Sequence, residues 1–229
     1  MKLQTIKIVF MKKIISSIFI IAVFMSCAAK EKRFIPIPDS SYFEQKKTPE
    51  IAINDIIDTK DGRSTGNLPV WLRTYIEGGI EAVENLNLFY NKYVYIGINR
   101  GSNTTALNKW LVNYSAAHDF PVLAGERVEK KIITSSSLYP DDEYGEFFER
   151  FMKRAYGSSY PGAVKEDTFW IRTKADNESY IYFILLTIDK TAMQLIVGDM
   201  ISQTEKSAVL TSSEAAAVRR MRQNFFEGF

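Results

Sequence analysis

The chain has 229 residues, 46% hydrophobic and 13% aromatic, with 29 Lys and Arg against 27 Asp and Glu for a formal charge of +2. That composition supplies a packed core, and the length suits one domain or two small ones. The near-neutral balance excludes the strongly basic surface on which nucleic-acid binding relies, and the single cysteine, Cys27, excludes an internal disulfide or a thiolate metal cluster.

Met11 to Cys27 reads MKKIISSIFIIAVFMSC, with two lysines, an uncharged run from Ile14 to Met25, and Ser26 before Cys27. A charged start, an apolar core of roughly 7–15 residues and a small residue at the cleavage point make a secretory signal. The run falls short of the ~20 apolar residues a spanning helix needs. Residues 1–10 look dispensable, because Met11 alone would start a compact signal. Lys2, Lys7, Lys12 and Lys13 supply the positive excess, so the chain beyond the signal is slightly acidic. Phe24-Met25-Ser26-Cys27 resembles the lipobox of bacterial lipoproteins. The resemblance implies cleavage before Cys27 and acylation of its thiol, palmitate-like chains holding the protein to a membrane. Ala28 in place of Asp favours the outer membrane under enterobacterial sorting. The expected organisation is a signal over residues 1–26, a tether over 27–49 and one domain over 50–229.

The tether is polar, with Pro36, Pro38 and Lys46-Lys47. Glu50–Asp58 is ambiguous between strand and short helix, and Thr59–Asn67 reads as an exposed loop. Pro69-Val70-Trp71 opens a helix with Leu72, Ile76, Ile80 and Val83 on one stripe. Gly78-Gly79 within it costs ~1 kcal/mol per residue relative to Ala and suggests close packing there. Tyr93–Ile98 is a strand with Val94, Ile96 and Ile98 on one face. A long helical stretch follows from Thr104 to about Ile133, with Leu107, Leu111 and Tyr114 on one side and a break or kink at Pro121.

A third helix starts at Asp141-Asp142-Glu143, acids favourable to its dipole, and buries Phe147, Phe148, Phe151 and Met152. Gly157–Gly162 is a loop. Thr168–Thr173 and Tyr180–Ile188 form a hairpin whose second strand is apolar nearly throughout, as a strand covered on both faces would be. Asp189 can cap a helix carrying Met193, Ile196, Val197, Met200 and Ile201. Thr211 and Glu214 have the capping-box spacing for a last helix through Ala215–Phe226. The two strands Tyr93–Ile98 and Tyr180–Ile188 are expected in one sheet, with Trp71 and Phe148 packed beneath it.

Three pieces in order carry a family resemblance: Pro69-Val70-Trp71 opening a helix, Tyr93-Val94-Tyr95-Ile96-Gly97 before a long helix, and Tyr180–Asp189-Lys190 leading into another. Over about residues 68–205 the chain resembles the LPP20-like bacterial lipoproteins, a small α+β module similar to domains of flagellar assembly and envelope proteins. Trp71–Trp110 and Asp141–Trp170, with Glu77-Gly78-Gly79 and Glu143-Tyr144-Gly145-Glu146-Phe147-Phe148, also look like uncharacterised spirochaete lipoproteins. The resemblance implies an envelope location and assembly or oligomeric roles, and it brings no catalytic residues.

Signatures of a metalloprotease, an α/β-hydrolase and a P-loop are missing from the sequence, and the lone His118 has no nucleophile motif beside it. Asn99, Arg100, Gly101, Ser102 and Asn103 join a strand to a helix N-terminus, an arrangement that can hold an anion on free backbone N–H groups. The competing reading is a plain turn capped by Asn103 or Thr104. Asp141, Asp142, Glu143 and Glu146 offer carboxylates to a hard cation, against the commoner role of dipole partners. Trp110 and Tyr160 are the aromatics best placed for exposed contacts. The last helix pairs Arg219, Arg220 and Arg222 with Met221, Phe225, Phe226 and Phe229, and an amphipathic basic helix can lie on anionic lipid or dock on a partner. As the final element it is expected to be dispensable for the core.

Together these residues predict an α+β fold, a small mostly antiparallel sheet packed against several helices. The expected protein is not an enzyme and needs no cofactor or metal. It is anchored through a lipid at Cys27 in the cell envelope, at the outer membrane facing the periplasm. There it acts through a protein partner or self-association, and not on nucleic acid. The alternative is a periplasmic binding module for a small anionic ligand or cell-wall component at residues 99–103.

Overall fold

The computed structural model describes residues 51–62, 67–174, 179–227 and 229, all within the unit Glu50–Phe229. The signal, Cys27 and the tether lie outside the described residues. The ambiguous stretch after Glu50 resolves into a short 3-10 turn, Ile53–Asp55, followed by strand β1, Ile56–Thr59. Of the loop expected over Thr59–Asn67, Thr59 is buried at the end of β1, Lys60 to Gly62 are exposed, and residues 63–66 lie outside the described residues.

Helix α1, Val70–Glu84, starts behind Pro69 at its N-cap and buries Trp71, Leu72, Tyr75 and Val83. Its two glycines have different causes: a Cβ on Gly78 would stand 2.7 Å from the Ala82 Cβ one turn on, within the same helix and not against another element, whereas Gly79 answers to its backbone angles. Gly79 has φ 74° and ψ −170°, and a Cβ there would meet nothing within 4 Å. Gly79 is needed because other residues rarely adopt positive φ. The bend it makes turns Ile80, 37% exposed, out of the apolar stripe.

Strands β2 (Lys92–Gly101), β3 (Val164–Thr173) and β4 (Tyr180–Asp189) join β1 in one antiparallel sheet of order β1-β3-β4-β2. The fold is therefore α+β. β2 and β4 pair without interruption from Lys92–Asp189 to Gly101–Tyr180. The central β4 is buried from Ile181 to Ile188 because both of its faces are covered. Successive side chains of a strand point to opposite faces, and the two faces feed separate cores. Val94, Ile96, Phe183, Leu185, Phe169 and Ile171 meet α1 through Trp71, Leu72 and Tyr75. Tyr93, Tyr95, Ile184, Leu186 and Ile188 meet the remaining helical layer. Trp71 and Phe148 thus lie on opposite faces of the sheet, not together beneath it.

The long helix expected from Thr104 to Ile133 is two helices. α2 spans Thr104–Asn113, α3 spans Phe120–Ser135, and Pro121 sits in the first turn of α3, where its missing N–H is harmless. The helix expected from Asp141 is also divided, into α4 (Pro140–Tyr144) and α5 (Glu146–Gly157). Gly145 separates them at φ 56°, and a Cβ there would collide with the Glu214 carboxylate. Helix α6, Lys190–Ser207, follows β4 directly, and Asp189 at its N-cap makes no side-chain capping bond. Helix α7, Ser212–Asn224, has the full capping box between Thr211 and Glu214.

The last helix, expected to be spared by the core, is built into it. Ala217, Val218, Met221 and Phe225 are buried in the same core as Phe147, Phe148, Phe151, Met193 and Val197. Phe225, 1% exposed, lies edge-on to Phe151 at 6.2 Å.

Two polar devices reinforce the packing, one between the layers and one within the larger helical layer. The first is a clasp around the β2 edge: Arg127 of α3 donates to Glu84 of α1 at 2.6 and 3.2 Å, and Glu84 Oε1 also accepts the Val94 N–H at 2.8 Å. Because Val94 turns that N–H away from β4, the carboxylate closes part of a strand edge that would otherwise be open. The second device is a part-buried pair, the hydroxyl of the half-buried Tyr156 donating to Oε2 of the buried Glu129. Tyr156 packs flat enough on α3 that a Cβ on Gly125 would come within 2.6 Å of its ring.

Burial raises the Glu129 carboxyl above its ordinary 4.5, opposed by the Tyr156 hydrogen bond and reinforced by the charge of Glu126. A raised folded-state value favours the protonated form, so the stability from this group is full below about 4.5 and is lost as pH climbs through the raised value. Glu129→Gln keeps an acceptor for Tyr156 and removes the titration. The expected result in urea unfolding is a midpoint at neutral pH equal to or above that of the parent, with a flatter dependence between pH 4 and 7. A variant less stable at pH 7 than at pH 4 by the same margin as the parent would contradict it.

Candidate functional site

The residues singled out in the sequence separate widely in space. Asn99, Arg100 and Gly101 do not form a loop; they continue β2 opposite Tyr182, Ile181 and Tyr180. Alternation places Asn99 and Arg100 on opposite faces, and Asn99 Oδ1 accepts the Arg100 N–H at 2.9 Å. Only Ser102 and Asn103 remain to make the turn, and Asn103 Oδ1 caps α2 by accepting the Ala106 N–H at 3.0 Å. One donor of the helix N-terminus that an anion would have used is therefore engaged. Gly97 serves packing as well: the Tyr114 hydroxyl lies 3.2 Å from where its Cβ would stand.

On α7, Arg219, Arg220 and Arg222 are exposed, while just past its end Phe225 is buried and Phe226 half-buried. Arg222 pairs with Glu205 of α6 at 3.2 Å. The apolar side of this helix is thus spent on the core, leaving the basic side in solvent. Phe226 and Phe229 fold back on Phe225 at 5.2 and 5.3 Å. Arg127 fixes this return by donating to the Phe229 carbonyl at 2.6 Å. Of the four acids around α4, Glu143 and Glu146 are engaged by separate partners. Glu143 Oε2 accepts from the Ser137 and Leu138 N–H groups at 2.6 and 3.2 Å. Glu146 is held by Arg150 and by the Val209 N–H. Among the described residues, no group of three His, Cys, Asp or Glu side chains is arranged to hold a metal ion. His118 is exposed in the connection before α3.

The two aromatics picked for exposed contacts part company. Tyr160 is 4% exposed, its hydroxyl donating to the Ala155 carbonyl at 2.7 Å and its ring set against Phe120. Burial lifts its pKa well above the usual phenol value. Trp110 is half-buried and lines a groove of about 340 Å³ with Ala106, Lys109, Asn113, Tyr114 and Asp119.

A further feature that sequence reasoning missed is the connection between α1 and β2. A single 3-10 turn, Asn87–Phe89, drives Phe89 into the core facing α1. With Phe89 inward, its neighbours turn outward: Leu88 is 75% exposed and Tyr90 is 85% exposed. Asn91, at φ 68°, turns the chain into β2, and its carbonyl accepts the Lys190 N–H at 2.9 Å. The knuckle is therefore pinned on both sides, by Phe89 below and by the start of α6 beside it. The signal was present as Leu88-Phe89-Tyr90, three large apolar residues in a row before a strand. One facing inward leaves the other two in solvent.

No helix among the described residues is long and apolar enough to cross a membrane. No family model, curated protein or solved structure matches the chain.

Proposed function

We propose that this chain is a lipid-anchored protein of the bacterial envelope that works through contact with a protein partner or a second copy, not by catalysing a reaction. The lipobox-like Phe24-Met25-Ser26-Cys27 and the resemblance to LPP20-like lipoproteins support the anchor and the setting. The observation that carries the contact role is the Leu88–Tyr90 knuckle. Leu88 and Tyr90, so largely exposed, add little to the core, and Tyr is enriched at protein interfaces, where a few such anchors dominate affinity. A pinned turn also avoids much of the side-chain and loop ordering that weakens association.

Leu88→Ser and Tyr90→Ser should leave the melting midpoint where it was, because surface substitutions typically change stability by no more than about 0.5 kcal/mol. Both should weaken or abolish migration as a complex when membranes are extracted gently and run on a native gel. An unchanged complex in the double variant removes the knuckle from the contact surface. Each buried CH₂ of an acyl chain contributes ~0.8 kcal/mol, so two or more chains hold a protein firmly. Cys27→Ser should therefore release the protein from washed membranes or leave it unprocessed. Full retention after a high-salt wash would place the anchor elsewhere.

A further inference from the structure

We propose that the groove beside the C-terminal half of α2 binds a neutral saccharide, with the Trp110 indole as the stacking surface. This goes beyond the contact role and uses a different set of residues. Ala106, Lys109 or Trp110, and Asn113 recur at helical spacing, so one exposed side of α2 forms one wall. Tyr114 and Asp119, from the connection into α3, form the other.

Long helical side chains lean back over the preceding turn, and the residue there is Ala106, whose methyl leaves the space above the indole open. The indole is braced on its other side by Tyr114, edge to face at 5.3 Å. Tyr114 is in turn fixed against Gly97, and Lys165 donates to its carbonyl at 3.0 Å. Asp119 is held by the Ser115 N–H at 2.7 Å. A half-buried aromatic pair supported from behind is preorganised for a ring with an apolar C–H face.

The polar groups set the class of ligand. Lys109 and Asp119 in the lining, with Lys165 and Glu126 beside Tyr114, leave the groove without net charge, so an anion would meet Asp119 and a cation Lys109. The Asn113 amide and the Asp119 carboxylate offer both donors and acceptors, which sugar hydroxyls need on every side. The groove, about 340 Å³, lies open to solvent, with room for one sugar ring laid on the indole.

The test follows the indole N–H signals of Trp71, Trp110 and Trp170 by ¹H–¹⁵N NMR on the protein purified from membranes in detergent. It is titrated with N,N′-diacetylchitobiose, with cellobiose and with inorganic phosphate. At least one disaccharide should move the Trp110 signal saturably, while Trp71, whose N–H donates to Asp167 at 2.9 Å, stays in place. Trp110→Ala should abolish saturable binding. Asn113→Ala, at an exposed position that leaves the fold untouched, should weaken it about threefold to tenfold, the worth of one hydrogen bond. No movement with either disaccharide at tens of millimolar overturns the proposal. So does a Trp110 response to phosphate alone, or an Asn113→Ala protein that binds as tightly as the parent.

Discussion

Removing Thr211–Phe229 is expected to abolish the cooperative melt of the whole domain. The segment supplies Ala217, Val218, Met221 and Phe225 to the larger core, and it closes the aromatic chain from Phe147 through Phe151 to Phe225. Loss of one fully buried Phe typically costs 3–5 kcal/mol against a total stability of roughly 5–15. Losing four buried side chains and a capped helix at once exceeds that margin. The graded version is Phe225→Ala, which should lower the urea midpoint by the equivalent of roughly 3–5 kcal/mol at unchanged slope. Arg219→Ser, on the exposed side of the same helix, should cost no more than about 0.5 kcal/mol. A truncated protein that melts cooperatively near the parent midpoint would show that this core closes without α7.

Arg127→Ala is expected to be the most costly single change to a charged residue. Burial alone would lower the guanidinium's pKa; the Glu84 hydrogen bonds and the neighbouring Glu84, Tyr95 and Tyr93 groups overcome this and raise it. The guanidinium also lies 4.4 Å from the Tyr93 ring centre and 5.2 Å from that of Phe229. Deleting one partner of a buried pair strands the other, at roughly 3–5 kcal/mol. Side-chain exposures of 20% for Arg127 and 13% for Glu84 place the effect at the lower end, about 3 kcal/mol. The change also frees the Phe229 carbonyl and the end of the chain. A double-mutant cycle with Glu84→Gln isolates the pair: the two costs should fall short of additivity by at least about 1 kcal/mol. Additive costs would mean that Glu84 is held by the Val94 N–H alone and that the clasp is incidental.

Local chemistry was the legible part of this fold. The box of Thr211 and Glu214, the apolar run of β4 and the strand beginning at Tyr93 each announce themselves within about ten residues, and the structure places them accordingly. Helix divisions were harder. The buried positions of α5 continue the periodicity of α4, so nothing in the apolar pattern reveals that Gly145 takes φ 56° between them. Gly79 is similar: two adjacent glycines signal an unusual backbone but do not say whether the need is space or dihedral freedom. The face of a strand is fixed by parity, yet parity does not say which helix covers which face, and Trp71 and Phe148 were separated for that reason.

The functional residues were less legible. Arg and Phe at helical spacing on α7 fit a membrane surface, a partner or a core equally well, and Phe225 chose the core because Phe151 meets it from a distant segment. Asn99 to Gly101 read as a loop because glycine and asparagine dominate there, but ten paired residues of β4 carry the strand through them. Trp110 was visible as an exposed aromatic; its groove was not, since Asp119 and Tyr114 reach it only after the chain breaks between α2 and α3. The pinning of the knuckle depends on the Asn91–Lys190 bond across a long sequence separation.

The most direct measurement is photo-crosslinking in intact cells with a benzophenone amino acid in place of Tyr90. The proposed contact role predicts one discrete adduct from position 90, lost when Cys27→Ser releases the protein from the membrane. A probe at the exposed Glu149 of α5 should give no such adduct. No adduct from position 90, or the same adducts from both positions, would contradict a contact surface at the knuckle.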